Sequence, residues 1–310
     1  MNEEFKHIPV LPKEVLEFLK PERGGRYIDC TLGGGGHSKM ILESSEDVQL
    51  LGLDQDENAL AAATKRLSSF SDRFESKRMN FGDLASLKGT DWDEADGILM
   101  DIGVSSHQID EADRGFSYVH DGPLDMRMDN RQEETAADIL NQADERELTR
   151  IFREYGEERN ARRIAKRVVR EREKKPWERT GEFAELVKAV VGRSKTGKAP
   201  SPAKCFQALR IAVNRELDVL ESGLKAAFEL LAEGGRLVVI SFHSLEDRMV
   251  KEFFKGKATS CICPPDFPVC VCSEKAELKI LSGKAVMAST AEAEENSRST
   301  CSRLRAAEKI

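Results

Sequence analysis

Tyr27-Ile28-Asp29-Cys30-Thr31-Leu32-Gly33-Gly34-Gly35-Gly36-His37-Ser38 reads as a short strand, a glycine turn and the start of a helix running to about Glu43. Four consecutive glycines remove every Cβ from the turn, so the backbone can take positive φ and a ligand can lie against it. The dinucleotide pattern G-x-G-x-x-G fails here. After Gly33 and Gly35 the third glycine is replaced by Ser38, and after Gly34 and Gly36 by Lys39. The phosphate-loop pattern fails as well, because no Gly-Lys-Ser/Thr follows. A carboxylate, Asp29, stands just before the turn. It would repel a pyrophosphate but would suit a cation, which favours S-adenosylmethionine, with its sulfonium and ammonium, over a nucleotide phosphate. The plain alternative is a glycine-rich surface turn.

Outward from this turn, apolar runs end repeatedly in an acid. Val48 to Asp54 and Gly97 to Asp101 are continuous apolar strands of the kind buried on both faces of a parallel sheet. Glu75 to Phe81 is a weaker strand, followed by Gly82-Asp83, where an aromatic or a carboxylate would flank an adenine. Asp54 follows Asp29 by 25 residues. An acid so placed commonly accepts from ribose hydroxyls; its other role would be to cap the helix from about Glu57 to Leu67. Ligands bind at the carboxyl ends of strands in open α/β sheets, so acids repeated at strand ends mark one edge as a site.

The βα rhythm stops after Asp101. Val104 to Met128 is rich in Gly, Ser and Asp and predicts a long structured loop. Helical patterns follow over Ala136–Asn141, Glu145–Tyr155, Glu157–Lys175 and Phe183–Val191, then a basic linker from Gly192 to Pro202. A long helix from Phe206 to Leu231, a strand from Arg236 to Phe242 and His243 at its end restore the α/β pattern. Leu278 to Met287 and Ser302 to Ala307 predict closing antiparallel strands. The fold expected is therefore α/β with an inserted all-helical domain: 1–105 and 206–310 form the sheet domain and 106–205 the insertion.

The chain has 310 residues, 40% hydrophobic and 33% charged, with a net charge of −7. These values fit a globular protein rather than a disordered one. The absence of a long apolar run or a signal-peptide core predicts a cytoplasmic protein with no membrane partner. Charge is segregated: Arg159 to Lys175 carries +7 and Arg193 to Arg215 carries +6. Such segments suit a polyanion, or else form a solvated helix face. Cys261, Cys263, Cys270 and Cys272 would hold a tetrahedral zinc, although C-x-C pairs are tighter than the usual ligand spacing. A reduced loop is the other reading.

The motifs taken together carry a resemblance. His7-x-Pro9-Val10-Leu11, Asp29-x-Thr31-x-Gly33-x-Gly35-Gly36-His37-Ser38, Asp101-x-Gly103-Val104-Ser105-Ser106-x-Gln108, Arg114-Gly115-Phe116-Ser117 and Asp121 to Met128 run in order. Tyr155-Gly156-Glu157-Glu158, Phe206 to Leu217 and Ile240 to Arg248 complete the set. Over nearly its whole length the chain resembles the bacterial 16S ribosomal RNA cytosine-N4 methyltransferases. The resemblance implies a Rossmann-like class I methyltransferase sheet, S-adenosylmethionine as donor and, as acceptor, a cytidine in the decoding centre (P-site) of the small ribosomal subunit. It puts cofactor contacts on Gly35, Gly36, His37, Asp54, Phe81, Asp101 and Gln108, with Gly34 beside them in the turn. Asp101 and His243 are the candidate catalytic residues. Asp101 stands where amino-methyltransferases commonly keep an Asp/Asn-Pro-Pro-aromatic motif, here Asp101-Ile102-Gly103-Val104. Phe116 or Tyr118 would replace the missing stacking ring. His243 would contact the base or relay a proton, or simply hold its turn. A homodimer is compatible with all of this. The competing readings are an amino-methyltransferase acting on DNA or protein, and a ribosome-assembly factor that binds cofactor and RNA without turnover.

Overall fold

A computed structural model describes residues 9–192, 201–260 and 275–310. In chain order it runs α1 (Pro12–Leu19), β1 (Gly25–Asp29), α2 (Gly36–Ser44), β2 (Val48–Asp54), α3 (Glu57–Arg66), β3 (Phe74–Arg78) and β4 (Ala95–Asp101). Helices α4 (Ser106–Asp110), α5 (Ala136–Gln142), α6 (Glu145–Glu154), α7 (Ala161–Arg172), α8 (Thr180–Val191) and α9 (Ala203–Asn214) follow. Then come α10 (Glu216–Leu230), β5 (Leu231–Ser241), α11 (Ser244–Ala258), β6 (Leu278–Ile280), α12 (Thr290–Glu295) and β7 (Arg303–Lys309). Among the described residues no helix is long and apolar enough to cross a membrane. The four-cysteine cluster 261–272 and most of the basic linker lie outside the described residues.

The chain divides into two compact units, 1–103 with 218–310, and 104–217. The first is built on one sheet of order β3-β2-β1-β4-β5-β7-β6. Pairing is parallel from β3 through β5, and β7 runs antiparallel to both β5 and β6. Strands β2 and β4 are apolar over 50–53 and 97–100, where both faces are covered. Tyr27, Leu50, Leu99, Val238 and Ile240 point to one face and pack with Val15, Leu19, Ile41, Leu42 and Leu67. Their neighbours Ile28, Leu51, Ile98, Leu237 and Val239 point to the other and meet Leu220, Leu224, Val250 and Phe254. Each such buried side chain contributes about 1.5–3 kcal/mol. The Tyr27 ring lies directly over Gly97, where a Cβ would come within 2.5 Å of it, so that strand position admits only glycine.

The second unit has its own core, in which Phe183 is the hub. Its ring centroid lies 5.5 Å from Phe206, 6.0 Å from Phe152 and 6.2 Å from Trp177. The apolar stripe of α7 (Ile164, Ala165 and Val168) is buried against this cluster. The long segment after Asp101 is tightly held. Asn214 accepts from Met128 N–H at 2.7 Å and donates to the Met126 carbonyl at 2.8 Å. Gly122 donates to Thr180 Oγ1, and a Cβ at Gly122 would come within 1.8 Å of the Ala112 carbonyl oxygen.

Two expectations are corrected. The helix expected from Phe206 to Leu231 is two helices, α9 and α10, broken where Arg215 turns left-handed at φ 49°. The domain boundary expected at 205/206 lies at 217/218 instead. Phe206, Leu209 and Val213 are buried in the helical core, so α9 stays with the insertion rather than returning to the sheet.

Candidate active site

Strands β2 and β3 lie to one side of β1, whereas β4 and β5 lie to the other. The carboxyl ends of β1 and β4 therefore flank the point where the strand order reverses, the usual ligand crevice of an open α/β sheet. The glycine turn, Asp29 and Asp101 all stand at this point, and Asp54 ends β2 beside them.

The turn is shaped by two carboxylates. Asp29, 1% exposed, accepts from Thr31 N–H at 3.1 Å and from the Ser38 hydroxyl at 2.6 Å. Its role is to tie the two ends of the turn together, rather than to meet a cation directly. Burial raises its pKa, and the Ser38 hydroxyl opposes that rise. Asp54 accepts from Gly33 N–H at 2.8 Å and from Asp56 N–H at 2.9 Å. Each of its oxygens keeps a second lone pair for a ligand hydroxyl. The cap of α3 is Asp56, which accepts from Asn58 N–H, so Asp54 is left for the ligand side. Burial pushes Asp54 up to about 6, against the two backbone N–H groups that hold its charge.

Gly33 and Gly35 have φ of 49° and 71°. Gly35 also lies against α3, where a Cβ would sit 3.3 Å from Ala63 Cβ and Leu67 Cδ1. It starts α2 with no side-chain cap. The first-turn N–H groups of Gly36, His37 and Ser38 are then the helix's open donors, at its positive end. Gly34 contributes its carbonyl to Arg66 at 3.2 Å.

Asp101 lies across the crevice. Its backbone N–H donates to Thr31 Oγ1 at 2.7 Å, which links β4 to the turn. Its Oδ2 lies 3.6 Å from His37 Nδ1. Its Oδ1 is buried and has no hydrogen-bond partner among the described residues. An orphaned buried oxygen costs about 1–3 kcal/mol and calls for a ligand to complete it. Burial pushes Asp101 up to about 6; His37 opposes this, and the charges of Asp29 and Glu246 add to it.

The remaining candidates are placed as follows. His37 is buried, with Nε2 2.8 Å from the Val10 carbonyl oxygen, so both ring nitrogens face protein groups and a cofactor would meet its backbone. Phe81 follows β3 and leans on Gly223, where a Cβ would come within 2.6 Å of its ring. His243 caps α11: its Nδ1 accepts from Glu246 N–H at 3.4 Å, and Nε2 lies 3.0 Å from Glu246 Oε1. Glu246 in turn accepts from the N–H groups of Phe242 and His243. Nδ1 of His243 thus serves the turn, while its Nε2 is buried and makes no hydrogen bond among the described residues. Gln108 belongs to the helical unit, where its Oε1 accepts from Ser105 N–H at 3.0 Å. Phe116 is buried in the core of that unit and cannot stack on a base; Tyr118, 38% exposed, keeps its ring accessible at the edge of Phe206.

The parts that sequence reasoning missed are Thr31, Ser38 and the Val10 carbonyl. The spacing of Asp29, Thr31 and Ser38 carries the signal for the first two, a carboxylate with hydroxyl residues two and nine positions on. Nothing in the sequence marks the third.

A model of the MraW methylase family matches residues 4–310. The chain is 52% identical to ribosomal RNA small subunit methyltransferase H of Carboxydothermus hydrogenoformans, over 99% of each chain. It is 53% identical to proteins of the same name from Heliobacterium modesticaldum and Symbiobacterium thermophilum. Those matches cover 99% of this chain and 99% and 97% of theirs.

Proposed function

We infer, from the premise that this chain belongs to the MraW methylase family, that it transfers methyl from S-adenosylmethionine to the N4 amine of a cytidine in small-subunit ribosomal RNA, in the decoding centre. The names of relatives half identical over their full length support the RNA class. The observation that carries the chemistry is Asp101, a carboxylate at the strand-order reversal with its Oδ1 unfilled.

The residues present fit the donor. Asp54 offers lone pairs to ribose hydroxyls, the open N–H groups of α2 suit the carboxylate of the methionine part, and Phe81 offers a face to the adenine. When bound, S-adenosylmethionine supplies a methyl group on a sulfonium, already a good leaving group. The protein's task is then positioning: the amine must be held about 3–3.5 Å from that methyl and in line. The cytosine amine is a poor nucleophile while its lone pair is delocalised into the ring. Asp101 Oδ1, accepting from one N–H, favours the pyramidal form and stabilises the charge that develops. His243 belongs to the proposed site at the end of β5, where its Nδ1 holds the turn.

RNA phosphates are the natural partners of α7. Arg162, Arg163 and Lys166 form one exposed patch on it and carry no ion pair among the described residues. Farther along, Arg167, Arg170 and Lys174 are engaged by Glu171. Changing Arg162, Arg163 and Lys166 to Glu is expected to weaken RNA binding. It should also flatten the slope of log K against log salt by about 0.7 for each phosphate no longer neutralised, with cofactor affinity intact. An unchanged salt slope would make this patch a solvated face only.

The function itself is tested by methyl transfer to small ribosomal subunits from a strain lacking this gene, followed by nucleoside mass analysis. N4-methylcytidine is the expected product. Label in another nucleoside, or in DNA or protein under competition, would overturn the acceptor. Cofactor binding without any transfer would favour an assembly factor.

A further inference from the structure

We propose that His37 is a positioning residue for Asp101: its imidazole holds the carboxylate through Oδ2 and keeps it ionised, leaving Oδ1 to take the proton released when the amine is methylated. The proposal rests on the amine-methylation reading above and gives a side-chain role to a residue otherwise expected only to contact the cofactor.

The geometry is directional. The Val10 carbonyl oxygen, 2.8 Å from His37 Nε2, can only accept, so Nε2 carries a hydrogen. That bond fixes the ring with Nδ1 toward Asp101, 3.6 Å from Oδ2. The separation is within ion-pair range and longer than a hydrogen bond. Contacts between catalytic groups often tighten only when substrate arrives. The imidazole is 6% exposed, so solvent screens the pair little. Two other charges act on Asp101. Asp29, at the end of β1, and Glu246, on α11, both favour its protonated form, and His37 is the group that opposes them. Without His37, Asp101 would face two carboxylates and its own burial with no counter-charge.

The proton count closes. The N4 lone pair forms the N–CH3 bond, and the C–S pair leaves with sulfur as a neutral thioether. The nitrogen then carries one proton too many and passes it to Oδ1. Oδ1 carries that proton until product release returns it to water.

His37→Gln is the discriminating variant. Its amide nitrogen can still donate to Val10, but it offers no basic nitrogen to Asp101. With cofactor saturating, so that Asp54 is occupied, kcat is measured from pH 5 to pH 8. Losing a close opposite charge raises a carboxyl pKa by about one unit or more. The acid limb should therefore move up by about one pH unit, and the ratio of kcat at pH 5 to kcat at pH 8 should fall roughly tenfold below wild type. A profile superimposable on wild type overturns the proposal. A second readout needs no turnover. In 15N-histidine spectra of the unliganded protein, Asp101→Asn should move the His37 Nδ1 resonance and leave Nε2 in place. An unmoved Nδ1 resonance also overturns the pairing. If wild-type protein made no N4-methylcytidine, the functional reading would fall, and the spectra alone would decide whether the pair exists.

Discussion

Asp101→Ala is expected to lower kcat by about 10²–10⁴ while leaving the fold intact or more stable. The rate range is that of a positioned acid–base group. The side chain makes no hydrogen bond through Oδ1 among the described residues, and its link to the turn runs through its backbone N–H to Thr31, which alanine keeps. The stability expectation follows from the direction of its pKa. A carboxyl raised to about 6 in the folded protein binds its proton more tightly there than in the unfolded chain. Its ionised form therefore opposes folding, fully above pH 6 and not at all below the unfolded value. Removing it relieves that penalty at pH 7, on the order of 1–3 kcal/mol. Labelled methyl transfer and a thermal unfolding scan on the same preparation check both halves. A variant within tenfold of wild-type rate would remove Asp101 from the chemistry. A strongly lowered unfolding temperature would make it a structural residue.

Asp54→Ala is expected to weaken S-adenosylmethionine binding by about 10²-fold or more. Two losses act together. Hydrogen bonds from ribose hydroxyls to an ionised acceptor are worth about 1.5–3 kcal/mol each. In addition, Gly33 N–H loses the acceptor that holds the turn, and Asp56 N–H loses its own. Calorimetry on Asp54→Ala beside Asp56→Ala separates the binding role from the local helix role. Asp56 caps α3 through Asn58 N–H. Its loss should cost about 1 kcal/mol of stability and leave cofactor affinity within a few fold. Equal losses of affinity in the two variants would mean that the turn, and not the Asp54 carboxylate, governs binding.

The sheet was legible because its strands announce themselves. β2 and β4 are covered on both faces over 50–53 and 97–100, so those stretches are apolar, and each strand ends in an acid at the ligand edge. The glycine turn was legible because it fails two phosphate patterns. The return point of the helical unit was hidden. Residues 203–230 keep a helical pattern across Arg215, and only the left-handed backbone there breaks it. Packing then assigns α9 by what its side chains touch, which composition does not reveal. The same limit applies to Phe116 and Tyr118, two aromatics in one loop, one buried and one exposed. The His37–Val10 contact spans 27 residues between a side chain and a carbonyl, and a carbonyl has no letter in the sequence.

The interruption of the sheet by a unit contiguous in the chain has a consequence for how the protein folds. Parallel pairing of β4 with β5 must close a loop containing all of residues 104–217. If that segment were unfolded, closing a loop of its length would carry an entropic cost of about 4 kcal/mol, set by the logarithm of the number of residues. Folded, the segment closes the loop itself: Val104 at its start packs on the same core that buries Val213 near its end. The helical unit is thus the clasp that lets the sheet form, and its contacts are the more local of the two. Nucleation in the helices ahead of the sheet is the expected order. Pulsed hydrogen exchange would detect it as protection of α6 to α9 before β5, and simultaneous protection would mean that the sheet does not wait.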